Sequence, residues 1–286
     1  MIRRGSAMPP ADLSGRFSQA ALEGAIVRAC LGEREDDFMG TDLRTFLEES
    51  GVLPEDVEAI LAAPPRLAVY RRLVRNGLSA VVLRMLPRTR ARLNAACNGL
   101  FDSDFARFVD VVGPRTHYVR DVPGEFFAWA DPRWRADSKV PAYLPYLAAH
   151  ELAHFSIAAS DAKERPPSLG EVALGRPLAF CCTTRLLAYD WAVHELPADE
   201  ASRDEPAHRD VRLLGYRDAS HAVRWLELTP LAASILGRLV SGEPLGTAVE
   251  RACEERGTSP TSIFDDIVKL LADLGARGVV LGARTD

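Results

Sequence analysis

The chain has 286 residues, room for one large or two ordinary domains, and its 47% hydrophobic and 26% charged residues exclude a disordered polymer. A net charge of −5 offers no global attraction to nucleic acid or to an anionic membrane. No apolar run approaches the roughly 20 residues of a membrane helix, the first residues lack a signal-peptide core, and the scattered cysteines show no C-x-x-C spacing; a reducing cytoplasm is the expected location.

Residues 1–15 read as a flexible arm. The spacing of Phe17, Ala21, Leu22, Ala25, Ile26 and Ala29 predicts an amphipathic helix over Arg16–Leu31, stopped by Gly32. Two short helices follow, Asp42–Glu49 behind a Thr41 cap and Pro54–Leu61 behind its proline. A long helix, Arg66–Leu86, carries Leu67, Tyr70, Val74, Leu78, Val81 and Met85 along one stripe up to Pro87. The arginine run Arg84–Arg92 reads as solvated helix ends rather than a nucleic-acid footprint. Helices are also expected over Thr89–Asn98, over Asp102–Val112 with Phe105, Phe108, Val109 and Val112 inward, from Glu125, and over Pro141–Ala159. No strand pattern interrupts this all-α stretch.

Beyond Pro167 the texture changes. Leu169–Leu174 and Leu178–Thr183 read as β or extended, Arg185–Leu196 is ambiguous, and Pro197–His208 reads as a polar surface loop. Val211–Tyr216 and Ala222–Leu228 form a hairpin pattern around RDASH. Thr229-Pro230 opens a helix over Leu231–Val240; a second spans Leu245–Arg256 with Gly257 as its stop, and a third spans Thr261–Leu274. Gly275 and Gly278 then turn the chain into Val279–Leu281. Two strands, three helices and a closing strand make a winged-helix-like order. The expected class is α+β, mostly α: a helical domain over 16–165, a connecting segment over 166–208 and a small winged-helix-like domain over 209–286.

One motif carries obvious chemistry. His150-Glu151-Leu152-Ala153-His154 fits H-E-x-x-H, which on a helix sets two imidazoles on one face for Zn²⁺ with a glutamate to activate water. A third ligand is required; Asp161, Glu164, Glu171, Asp190, His194 and Glu195 are available, none in a recognisable motif, and no strand is expected beside the helix. The same segment also reads as a core helix with Leu144, Leu147, Ala148, Leu152, Phe155 and Ala159 inward. A winged helix that binds DNA is the other rival, opposed by Asp265, Asp266 and Asp273 on the third helix.

The run from Leu228 to Val280, with L-T-P-L-A-A at its start and L-L-A-D-L-G-A-R-G-V-V at its end, resembles the PqqD-like precursor-peptide recognition domain of enzymes that modify ribosomal peptides. The preceding part resembles MbnC-type partner proteins of methanobactin biosynthesis, through Arg66–Arg71, the phenylalanines near 105–108 and Tyr143–Ala153. Within that last pattern Glu151 is matched, and the histidines are incidental. The resemblance implies an accessory subunit that binds a leader peptide by strand addition and presents a core cysteine to a TIM-barrel multinuclear-iron oxidase. It implies a peptide site on Val223, Arg224, Trp225, Leu226 and Glu227 with Ile263, Asp266, Ile267 and Leu270 of the third helix. Along the strand, Val223, Trp225 and Glu227 share one face, Arg224 and Leu226 the other. No catalytic residue, metal ligand or cofactor is expected in this chain, no membrane contact, and nucleic acid is disfavoured.

Overall fold

The computed structural model describes residues 14–32, 42–160 and 169–285; residues 1–13 of the arm, the Thr41 cap, Asp161, Glu164 and Pro166-Pro167 lie outside them. In chain order the helices are α1 (Ser14–Leu31), α2 (Asp42–Glu49), α3 (Pro54–Leu61), α4 (Pro64–Met85), α5 (Pro87–Ala96), α6 (Leu100–Val111), α7 (Val122–Ala136) and α8 (Leu144–Ala159). Then come β1 (Leu169–Gly170), β2 (Leu178–Phe180), β3 (Arg185–Trp191), β4 (His208–Arg217), β5 (Val223–Glu227), α9 (Pro230–Val240), α10 (Leu245–Glu255), α11 (Pro260–Ala276) and β6 (Val280–Arg284). The class is α+β, mostly α, as the sequence predicts. No helix among the described residues is long and apolar enough to cross a membrane.

The chain forms two compact units, Met1–Arg84 with Gly99–Ala130, and Met85–Asn98 with Asp131–Asp286. In the first, Ala25 of α1 packs with Leu43, Leu47, Val52 and Val57 around α2 and α3. A second cluster is aromatic: Phe101 and Phe105 of α6 meet Phe126 edge-on at 5.2 and 5.4 Å, and Phe108 lies 5.9 Å from Trp129. The buried face of α4 keeps Leu78 and Met85 of the expected stripe but departs from it at Tyr70. Tyr70 is 51% exposed, while Arg71 is buried and donates to the Ala29 carbonyl at 2.6 Å. On the same helix Leu78 and Val82 lie inward and Val69, Tyr70 and Leu73 outward. Val112, expected inward, is also exposed, because α6 ends one residue before it.

The second unit is built on two antiparallel sheets of order β3-β4-β5 and β1-β6-β2. The hairpin pattern becomes β4 and β5, joined across Asp218–Ala222, and the ambiguous Arg185–Leu196 supplies β3, paired with β4 from Arg185↔Gly215 to Trp191↔His208. Closing strand β6 pairs with β1 and β2, outside the hairpin's sheet. The extended runs come out shorter than expected: β1 stops at Gly170, and Cys181–Thr184 turns back through a 2.9 Å hydrogen bond from Thr184 N to Cys181 O.

One face of the β3-β4-β5 sheet meets α9–α11. Leu214, Tyr216 and Leu228 join Ile235, Leu236, Leu239, Ala248, Ala252, Ile267 and Leu274 in a single core. Each fully buried leucine there is worth about 1.5–3 kcal/mol. Thr229 caps α9 by accepting from Ala232 N at 3.2 Å, and Pro230 needs no donor at the first helical position. Gly257 and Gly278, both with positive φ, close α10 and α11 where an L side chain would be strained.

The opposite face is covered by α8. Leu144, Leu147, Ala148 and Ile157 are buried, whereas Leu152 and Phe155 are only half-buried. Strands therefore do lie beside this helix, contrary to the sequence reading; the β-pattern that forms them begins some thirty residues later in the chain. The α5 segment is anchored to α8 by Glu151, and its arginines are not solvated helix ends. Arg92 is 2% exposed and donates to Asp204 O at 2.6 Å and Ser202 Oγ at 3.2 Å, while Arg88 reaches Leu196 O at 3.2 Å. These bonds fix the polar 197–208 segment against α5.

Candidate functional site

Strand β5 is an edge of its sheet. At one end of its ladder Asp218 N donates to Ala222 O at 2.9 Å, and at the other Leu228 N donates to Arg212 O at 2.8 Å. The register between them runs Arg217↔Val223, Tyr216↔Arg224, Gly215↔Trp225, Leu214↔Leu226 and Leu213↔Glu227. In an antiparallel ladder hydrogen-bonded and non-hydrogen-bonded pairs alternate, so Arg224 and Leu226 direct their backbone groups at β4. Val223, Trp225 and Glu227 direct theirs outward. Among the described residues the edge thus carries donors and acceptors at alternate positions with no ladder partner, the template for an added strand.

The side chains divide as the alternation requires. Trp225 lies on the α8 side. Its ring contacts His150 at 4.5 Å between centroids and His154 at 6.5 Å, and a Cβ at Gly215 would fall 2.4 Å from the indole and 2.6 Å from Ile157 Cδ1. Leu226 lies on the other side, against the α9–α11 core. Arg224 is exposed and pairs with Asp218 at 2.7 Å; hydrogen bonds from Ser220 and Arg224 hold that carboxyl well below the usual carboxylate range.

The histidine helix has a different use from the one its motif advertises. Glu151 turns toward the start of α5, where it accepts from Thr89 N at 3.1 Å, Thr89 Oγ1 at 2.7 Å, Arg88 N at 3.1 Å and Arg88 Nε at 3.2 Å. Both oxygens are spent on capping a helix N-terminus whose donors would otherwise be unpaired. No oxygen is left to serve as the base of a peptidase. His150 is buried, and burial first, then the Arg88 guanidinium and the neighbouring histidines, push its pKa down to about 3. Burial also lowers that of His154, which remains exposed at the rim of Trp225. The i, i+4 spacing puts both imidazoles on one face as read, and that face looks onto an indole.

Among the described residues, the side chains that come together as a group of potential metal ligands are His194, Glu195 and Glu227. Arg209 already occupies this cluster: its guanidinium pairs with Glu227 through Nη1 and with Glu195 at 2.6 Å, and His194 Nε2 sits 3.3 Å from Glu227. The arginine holds the Glu227 carboxyl below its usual range. Glu227 is thereby fixed at the end of the β5 edge. Sequence reasoning named Glu227 for the strand and His194 and Glu195 among possible ligands, but it did not bring them together and missed Arg209; the alternation of β4 was the available signal for the arginine.

On α11, Ile267 is buried and Ile263 and Leu270 are half-buried, all in the core that also takes Leu226. Asp266 faces solvent, 3.9 Å from Lys269. Phe264 and Val268, on the far side of α11, line a separate apolar groove of about 540 Å³ with Leu174 and Val249; Ile267 alone of the sequence-derived set reaches it. The structure therefore joins Leu226, Ile263, Ile267 and Leu270 through one core and leaves Arg224 and Asp266 on the surface.

Residues 182–275 match the family model of the HvfC C-terminal domain, a domain associated with MbnC-like partner proteins of the methanobactin-like HvfB/HvfC system. The match begins just before β3 and ends within α11, so it includes the whole β3-β4-β5 sheet. No curated protein matches the chain.

Proposed function

We propose that this chain is an accessory subunit of a peptide-modification system, binding the leader of a ribosomally made precursor as an added strand on β5. In this reading the leader extends the β3-β4-β5 sheet, its apolar side chains on one face settling against Leu226 and α11, at Ile263, Ile267 and Leu270. The small domain acts as a winged-helix-like clamp. The bound precursor is held so that a core cysteine reaches the iron site of a TIM-barrel oxidase partner, which performs the chemistry. The observation that carries the reading is the set of outward backbone groups at Val223, Trp225 and Glu227, inside the segment matched to the HvfC C-terminal domain. The DNA-binding alternative is opposed by exposed Asp265 and Asp266 on α11.

The reading expects a short cysteine-containing reading frame and a TIM-barrel iron protein beside this gene. Synthetic peptide from that frame, titrated into the purified chain, should saturate at one per chain, and coexpression should yield a complex with the iron protein. A peptide that binds equally well after Val223→Pro would exclude strand addition at this edge, because proline removes an outward donor.

A further inference from the structure

We infer that α8 gives the β5 edge a second reading wall, in which Trp225 and His154 select an apolar leader side chain at the position crossing Trp225. The inference rests on the strand-addition reading and deepens it. A strand added to β5 forms its pairs with Val223, Trp225 and Glu227, whose backbone groups face outward. Directly paired residues project to the same face of a sheet, so the leader residue opposite Trp225 projects toward α8. There it meets the half-exposed indole and the exposed imidazole of His154, 6.5 Å from that ring.

The surroundings define what fits. The indole cannot recede, since it is seated on the bare backbone of Gly215 with Ile157 behind it and His150 against its face. At one end of the edge Arg217, across from Val223 on β4, is engaged with the Ala158 carbonyl of α8 at 3.0 Å. At the other end Arg209 pairs with both Glu227 and Glu195. Partial burial, and then the Arg88 guanidinium, lower the His154 pKa and favour its neutral form. The middle of the edge therefore presents aromatic carbon between an arginine tied to a carbonyl and an ion-paired cluster, a surface for an aliphatic or aromatic side chain. Alternate leader residues would then be read by separate walls: Trp225 and His154 on one face, Leu226 and α11 on the other.

The test uses the full chain, ¹⁵N-labelled, and four synthetic nonapeptides of alternating threonine and valine with leucine, threonine, aspartate or lysine at the centre. Shifts of the Val223, Trp225 and Glu227 amides report strand addition; the ranking of the centre residue reports the wall. The leucine peptide should bind about tenfold tighter than the threonine peptide, as for half-burial of one aliphatic side chain. His154→Ala should erase that preference, while His154→Phe should restore it. Edge shifts without any ranking, a preference for lysine or aspartate, or a leucine preference abolished by Leu226→Ala instead of His154→Ala would overturn the inference and leave strand addition standing. No shift at those amides with any peptide would overturn both.

Discussion

The indole of Trp225 rests on Gly215, its cross-strand partner on β4, so closely that a single methyl at 215 would fall 2.4 Å from the ring. The glycine is required by what lies above it. Gly215→Ala should cost about 1–3 kcal/mol through overpacking, measured by urea denaturation, with the Trp225 amide the most displaced in the spectrum. An unchanged midpoint would mean that the indole does not sit there.

Glu151 is the second point of failure. Removing it leaves the start of α5 without its acceptor and the Arg88 guanidinium without its carboxylate, so Glu151→Ala should destabilise by about 3 kcal/mol. Glu151→Gln keeps one acceptor oxygen and should cost less. A peptidase base would behave otherwise: both variants would keep the fold, and only a hydrolytic activity would disappear.

Acid should weaken the second unit through His150. Its folded pKa, about 3, lies below the unfolded value of about 6.5. The unfolded chain therefore binds more protons between those values, and stability present above pH 6.5 is lost as the pH falls toward 3. At pH 4 the loss from this residue alone is about 3 kcal/mol. His150→Phe should flatten that part of the stability–pH curve; an identical slope in wild type and variant would show that the imidazole titrates freely.

Proline separates the two sets of β5 residues. Val223→Pro removes an outward donor, so the domain should stay folded and lose at least tenfold in peptide affinity, as expected where ladder hydrogen bonds carry binding. Leu226→Pro removes a donor aimed at β4 and should lower the unfolding midpoint before any peptide is added. Equal behaviour of the two variants by circular dichroism and titration would contradict the register.

The sequence exposes local punctuation well and distant pairing poorly. Thr229-Pro230, Gly257 and Gly278 mark helix ends within a residue or two because caps and positive φ are local requirements. The alternation on β5 is legible too, down to Trp225 and Glu227 sharing a face. Which set points its backbone outward is not, because that depends on the phase of the β4 ladder, fixed by Asp218 and Leu228. Nor is the burial of Arg71 and Arg92, whose partners Ala29 and Asp204 lie 42 and 112 residues away. The H-E-x-x-H helix shows the same limit: its spacing is correct, but the groups it faces, Trp225 and the α5 terminus, are far off in the chain.

Because α8 covers one face of the sheet and β2 pairs with β6, the family-matched segment 182–275 is not a self-sufficient piece of protein. Cut out alone, it would bare Tyr189, Leu213 and Trp225 to water and lose β6 as well. A soluble minimal fragment must instead start upstream of α8 and retain α5, the helix that Glu151 holds to it. Any transplant of this domain onto another protein would have to carry that helical collar along.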